Sequence, residues 1–243
     1  DLRYGDLSHI PWHRPPCDDD IYLTAPAITA GLFHTDRRGF VPDRRVEDKL
    51  VLTCRFVAVL IASIYKAKGI PCRCRAGFAP YLSPGASLDH WINQLWSDQE
   101  NRWITFDADG FYDGLNLPVT QYDMSPDQFD WSAQAWLDIR SGRTDGARFL
   151  YADGQGTCGL RSVGRYLVYD FYALMNHEVS YVFHPKAMAP FLLREEESLP
   201  AGLLSLLDHL AELLLEPDDQ FEQLLALWEN SRELRLLSSP LVQ

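Results

Sequence analysis

Apolar residues recur most densely between positions 46 and 68, a stretch with neither glycine nor proline. Val57, Leu60, Ile61 and Ile64 fall at helical spacing, and Lys66, Lys68 and Gly69 supply a C-terminal signature before Pro71 stops the helix. Small and apolar residues line most sides of 56–64, which predicts a buried helix. The period then changes. Residues 72–81 read as a strand, and 91–96 as a second, its apolar residues alternating with Asn93 and polar neighbours. Residues 102–107 read as a third, reached through the turn Ser97-Asp98-Gln99-Glu100-Asn101.

On either side of this block the punctuation is heavier. Pro11, Pro15 and Pro16 forbid a regular helix in the lead-in, with a short helix expected over 26–33. Pro42-Asp43 offers a helix start with Asp43 as N-cap. Helical spacing returns over 131–140, and the aromatic-rich stretch 160–183 reads as one long helix or two. Residues 203–215 and 221–237 read as amphipathic helices divided by Glu216-Pro217-Asp218-Asp219. Helix, strand meander, then helices describe an α+β fold, with a core over 1–150 and a mainly helical part over 151–243 packed on it.

The 243 residues are 47% hydrophobic and 23% charged, enough apolar material for a packed core and a poor match to disorder. Acidic residues outnumber basic ones 34 to 22, giving a net charge of −12. That balance argues against nucleic acid and against an anionic membrane surface, both of which call for clustered Lys and Arg. The longest apolar run, 57–64, is too short to span a bilayer. Five cysteines (17, 54, 72, 74, 158) are sparse for this length, which reads as reduced thiols and a cytoplasmic location.

Three of the chemically active residues stand in an informative order. Cys54 lies where Thr53 can cap a helix, so the helix dipole and the N–H groups of its first turn would favour a thiolate and serve an oxyanion. His90 opens the second strand and Asp107 closes the third, and neighbouring antiparallel strands set such ends side by side. A thiol, an imidazole and a carboxylate that orients the imidazole make a nucleophile for acyl chemistry. Taken singly, each also has a plain structural reading: a small buried hydrophobe, a strand-end histidine and a turn aspartate.

The joint pattern resembles the transglutaminase-like superfamily. Cys54 begins a run that reaches Gly69-Ile70-Pro71 and continues to Gly77-Phe78, as the cysteine helix and following strand of that family do. Asp89-His90-Trp91 matches its histidine strand, and Arg102-Trp103-Ile104-Thr105-Phe106-Asp107 its aspartate strand; together the motifs cover about sixty residues. The resemblance implies a papain-like core with the cysteine helix on an antiparallel sheet. It also implies Cys54 as nucleophile, His90 as base and Asp107 as the residue orienting it, acting on a protein or peptide-like amide through a thioester, with no cofactor and no metal. The chain departs from the pattern in three places. Leu52 and Thr53 stand where a small residue is usual, Trp91 follows His90 directly, and Ala108-Asp109 replaces Pro-Thr, leaving Asp109 as a competing carboxylate. A helix running from 44 straight through Cys54 would put the thiol mid-helix, and a catalytically silent binding or scaffold domain is the alternative reading.

The remaining clusters point to structure. Cys72 and Cys74 share a strand face without a second ligand pair, and prolines divide His9, His13, Cys17 and Asp18 to Asp20. The segment Asp107 to Asp113 has Phe111 where a calcium ligand belongs, and His177-Glu178 lacks a second histidine. Leucine stripes at 203–215 and 224–237 read as helix packing, or as a homo-oligomer contact through the C-terminal helices.

Overall fold

The computed structural model describes residues 21–108, 120–153, 155–177, 180–181, 183–193 and 198–236. It is an α+β structure with helices α1 (Ala25–Thr35), α2 (Cys54–Ala67), α3 (Ser132–Arg140), α4 (Gly159–Leu174), α5 (Ala189–Leu193), α6 (Ala201–Leu215) and α7 (Phe221–Asn230). The strands are β1 (Cys72–Ala79), β2 (Ser87–Ser97), β3 (Arg102–Phe106), β4 (Asp130–Trp131) and β5 (Phe149–Leu150), forming one sheet in the order β3-β2-β1-β4 with β5 pairing with β2. Pairing is antiparallel for β2 with β3 and for β1 with β4, and parallel for β5 with β2. No described helix is long and apolar enough to cross a membrane.

Two compact units divide the chain, and neither is continuous in sequence: Asp1–Cys74 with Trp91–Met124, and Arg75–His90 with Ser125–Gln243. The boundaries fall inside β1, between Cys74 and Arg75, and inside β2, between His90 and Trp91.

In the first unit α2 is the buried element. Phe56, Ala58, Val59 and Ala62 are withdrawn from solvent, and α1 packs against this helix. Asn93 of β2 donates to the Ala58 carbonyl at 2.9 Å from a fully buried position, and Tyr65 meets Phe106 of β3 edge to face with centroids 6.1 Å apart. Leaving the Asn93 amide unpaired there would cost about 1–3 kcal/mol, so this bond fixes how helix and hairpin meet. The helix ends as the sequence predicts: Gly69 sits at φ +76, a conformation that suits glycine.

The helix start differs from the expectation at Asp43. That residue caps nothing; Arg45 precedes a 3-10 turn, Val46–Asp48, and helical structure resumes only at Cys54. Arg44 explains the break, because its guanidinium reaches back to the Leu32 carbonyl (3.0 Å), Thr35 Oγ1 (2.8 Å), the Asp48 carbonyl (3.2 Å) and the Gly39 carbonyl. Those bonds hold residues 39–48 as an irregular loop against α1.

In the second unit α4 is the hub, buried on nearly every side from Ser162 to Ala173 and in contact with α3, α5, α6 and β5. Asp170 receives two guanidinium bonds from Arg75 and the Ala76 backbone N–H, all at 2.8–2.9 Å, in a site closed to solvent. Gly164 allows Trp136 of α3 close to α4, since a Cβ there would lie 3.0 Å from the indole. Trp136 and Arg140 of α3 both bond Asp208 of α6.

Candidate active site

Cys54 is the first residue of α2. Thr53, extended at φ −80 and ψ 170, is its N-cap, and the N–H groups of Phe56 and Val57 both donate to the Thr53 carbonyl, at 3.1 and 3.3 Å. The thiol therefore stands at the amino end of a 14-residue helix, half-buried and outside any disulfide. The alternative in which a helix from residue 44 carries through Cys54 does not occur, because residues 49–53 are not helical. That position supplies the positive end of the macrodipole and the N–H groups of a first helical turn. Arg55, fully buried, follows directly, with its guanidinium carbon 5.8 Å from the centre of a Trp91 ring.

Asp107 belongs to the same unit. It follows β3 immediately and is closed to solvent. Its N–H donates to the Gln121 carbonyl at 3.0 Å, and the Met124 N–H donates to the Thr105 carbonyl at 2.8 Å. Residues 121–124 thus return alongside the end of β3, and the Arg102–Asp123 pair, at 2.6–2.8 Å, ties them to its start. Asp109, the competing carboxylate, lies outside the described residues.

His90 belongs to the second unit. It is a buried residue of β2 whose ring meets Tyr81 edge to face, with centroids 6.2 Å apart. Its neighbour Asp89 accepts the Tyr166 hydroxyl and, at 2.8 Å, the Ala152 N–H. Burial raises the Asp89 carboxyl above its ordinary range, while those two donors and the charges of His90 and Arg165 pull the other way. In the first unit, Gln94 bonds Thr105 Oγ1 at 3.1 Å, and Asp107 follows Thr105 by two positions.

Sequence reasoning singled out Cys54, His90 and Asp107 but passed over Asp89 and Arg55. Asp89 entered only as part of a motif, because its partner Tyr166 lies 77 residues away on a helix whose packing no local pattern reveals. Cys72 is buried, which pushes its thiol up to about 11, and Cys74 is buried beside Asn93. Among the described residues no group of three or more His, Cys, Asp or Glu is placed to hold a metal ion. The segments holding His9, His13 and Cys17, Asp109 to Asp113, and Glu178 lie outside the described residues.

No protein-family model matches the chain. No curated protein and no solved structure matches it either.

Proposed function

We propose that the chain is a cysteine-dependent acyl-transfer enzyme of transglutaminase-like, papain-related architecture, acting on a protein or peptide-like amide. One observation carries the reading: helical structure begins at Cys54, so the thiol has the helix amino end that such a nucleophile needs. In the proposed cycle the Cys54 sulfur, its proton passed to His90, attacks the amide carbonyl carbon. The C–S bond forms, the C–N bond breaks, and the imidazolium returns the proton to the departing amine. Water then attacks the thioester, giving its proton to His90; the acid leaves and the thiol is restored. Asp107 orients the imidazole, and N–H groups at the start of α2 bind the oxyanion. Water is the default acceptor, so hydrolysis is favoured over transfer to an amine.

A second reading has its own support. Asn93 of β2, fully buried, donates to the Ala58 carbonyl of α2, a contact that holds helix and hairpin together whether or not any turnover occurs. That arrangement suits a domain that keeps this architecture for binding and performs no turnover.

Alkylation by an iodoacetamide probe near neutral pH, with the modified residue located by peptide mapping, separates the two. For the enzyme, Cys54 reacts at least about tenfold faster than cysteine in a short peptide, and His90→Ala removes that advantage. A Cys54 no faster than the peptide thiol, or one indifferent to His90→Ala, overturns the enzyme reading in favour of the binding domain.

A further inference from the structure

His90 is 4% exposed, so an imidazolium formed there in the proposed cycle is a cation almost without water. Such a cation persists where the protein places negative charge close by. Asp89, the preceding residue of β2, is half-buried and belongs to the same unit. Two donors fix its carboxylate, the Tyr166 hydroxyl of α4 and the Ala152 N–H at 2.8 Å. Both are neutral, so they position the carboxylate without cancelling its charge.

The groups around this pair are specific. Two cations act on Asp89 through space, His90 first and Arg165 second. Arg165 also serves other partners: its guanidinium reaches His184 Nε2 at 3.3 Å and the Leu192 carbonyl at 3.2 Å, and lies 4.5 Å from the centre of the Tyr151 ring. Asp153, beyond Ala152, accepts the Thr157 hydroxyl at 2.6 Å. Tyr81 meets the His90 ring edge to face.

We propose that Asp89 is a positioning residue for His90: a carboxylate locked to α4 by Tyr166, whose negative charge holds a proton on the neighbouring imidazole. The proposal rests on the acyl-transfer reading for the use made of that proton, and not for the coupling of the two charges. It differs from the part given to Asp107, which orients the ring; Asp89 acts by its field from the adjacent strand position. Because burial raises the Asp89 carboxyl, this support is withdrawn on acidification earlier than an ordinary carboxylate would allow, and the two groups titrate as a pair.

Nuclear magnetic resonance on the labelled whole chain tests it, following the His90 ring and the Asp89 carboxyl carbon against pH. Asp89→Asn removes the charge and keeps the shape, and should lower the His90 midpoint by about one unit. An unchanged or raised midpoint overturns the proposal. Should that variant fail to fold, the wild-type chain decides: the Asp89 carboxyl carbon should show a step at the His90 midpoint, and its absence overturns the coupling. The two readings fail separately, since a Cys54 no faster than a peptide thiol sinks the enzyme and leaves the His90 shift to be observed.

Discussion

His184 shows how much one ring can be constrained by its neighbours. The Arg165 guanidinium can only donate, so His184 Nε2, 3.3 Å from it, accepts. The proton then sits on Nδ1 and points to the Tyr169 hydroxyl at 3.3 Å, which itself donates to the Tyr181 carbonyl at 2.8 Å. Burial first, and the Arg165 charge second, lower the His184 pKa from 6.5 to about 4. As pH falls through that window the unfolded chain takes up the proton before the folded one. This part of the stability is therefore complete above pH 6.5 and is drained progressively toward pH 4. Denaturant melts across that range should show stability falling with acidification, and His184→Asn should remove that component of the slope. An unchanged slope in the variant would assign it to the carboxylates alone. None of this is legible in the sequence, where His184 is a lone histidine after an aromatic and its two partners come from an earlier helix.

At the level of elements, the cysteine helix was readable, and of the two starts that the sequence offered, Asp43 and Thr53, the structure has the one at Thr53. Apolar spacing and Gly69-Ile70-Pro71 mark where α2 runs and stops, because both signals are local. Its start depends on Arg44 bonding carbonyls as far back as Leu32, a tertiary effect that overrides the cap suggested by Asp43. The three expected strands appear within a few residues of their expected limits, but β4 and β5 are two residues each and carry no periodicity to detect. Two substitutions test the packing of these elements. A Cβ on Gly77 would lie 2.5 Å from the Phe129 ring and 2.6 Å from the Asp130 carbonyl, so Gly77→Ala must push β4 away from β1. Chemical denaturation should show a loss of about 1–3 kcal/mol. Asp170→Ala leaves the Arg75 guanidinium buried beside an absent partner and should cost about 3–5 kcal/mol in the same assay. A loss below about 1 kcal/mol would mean that water or another carboxylate takes its place.

For the whole molecule, a core at 1–150 followed by a helical part at 151–243 is the division that a linear reading offers. Clustering by contact yields two units, each drawn from separate stretches of sequence, and β2 pairs with β5 over 87–88 and with β3 over 93–97. Hydrophobic patterning reports which face of an element is buried and is silent on what buries it. A fragment beginning at Ser125 would retain α3, α4 and α6 yet lack Arg75, Ala76 and the β1 partner of β4. Expressed alone, 125–243 should be readily digested under limited proteolysis and melt without a cooperative transition, whereas the whole chain should resist. A protease-resistant, cooperatively melting fragment would show that the helices suffice by themselves.

The Arg75–Asp170 pairing joins positions 95 apart. At a ribosome adding about 5–20 residues per second, Arg75 would wait roughly 5 to 20 s for its carboxylate to be synthesised. Throughout that interval a cation and the apolar strand following it stand without the helix meant to cover them. Nascent chains of this protein should accordingly engage chaperones most strongly while translation passes through the stretch between those two residues.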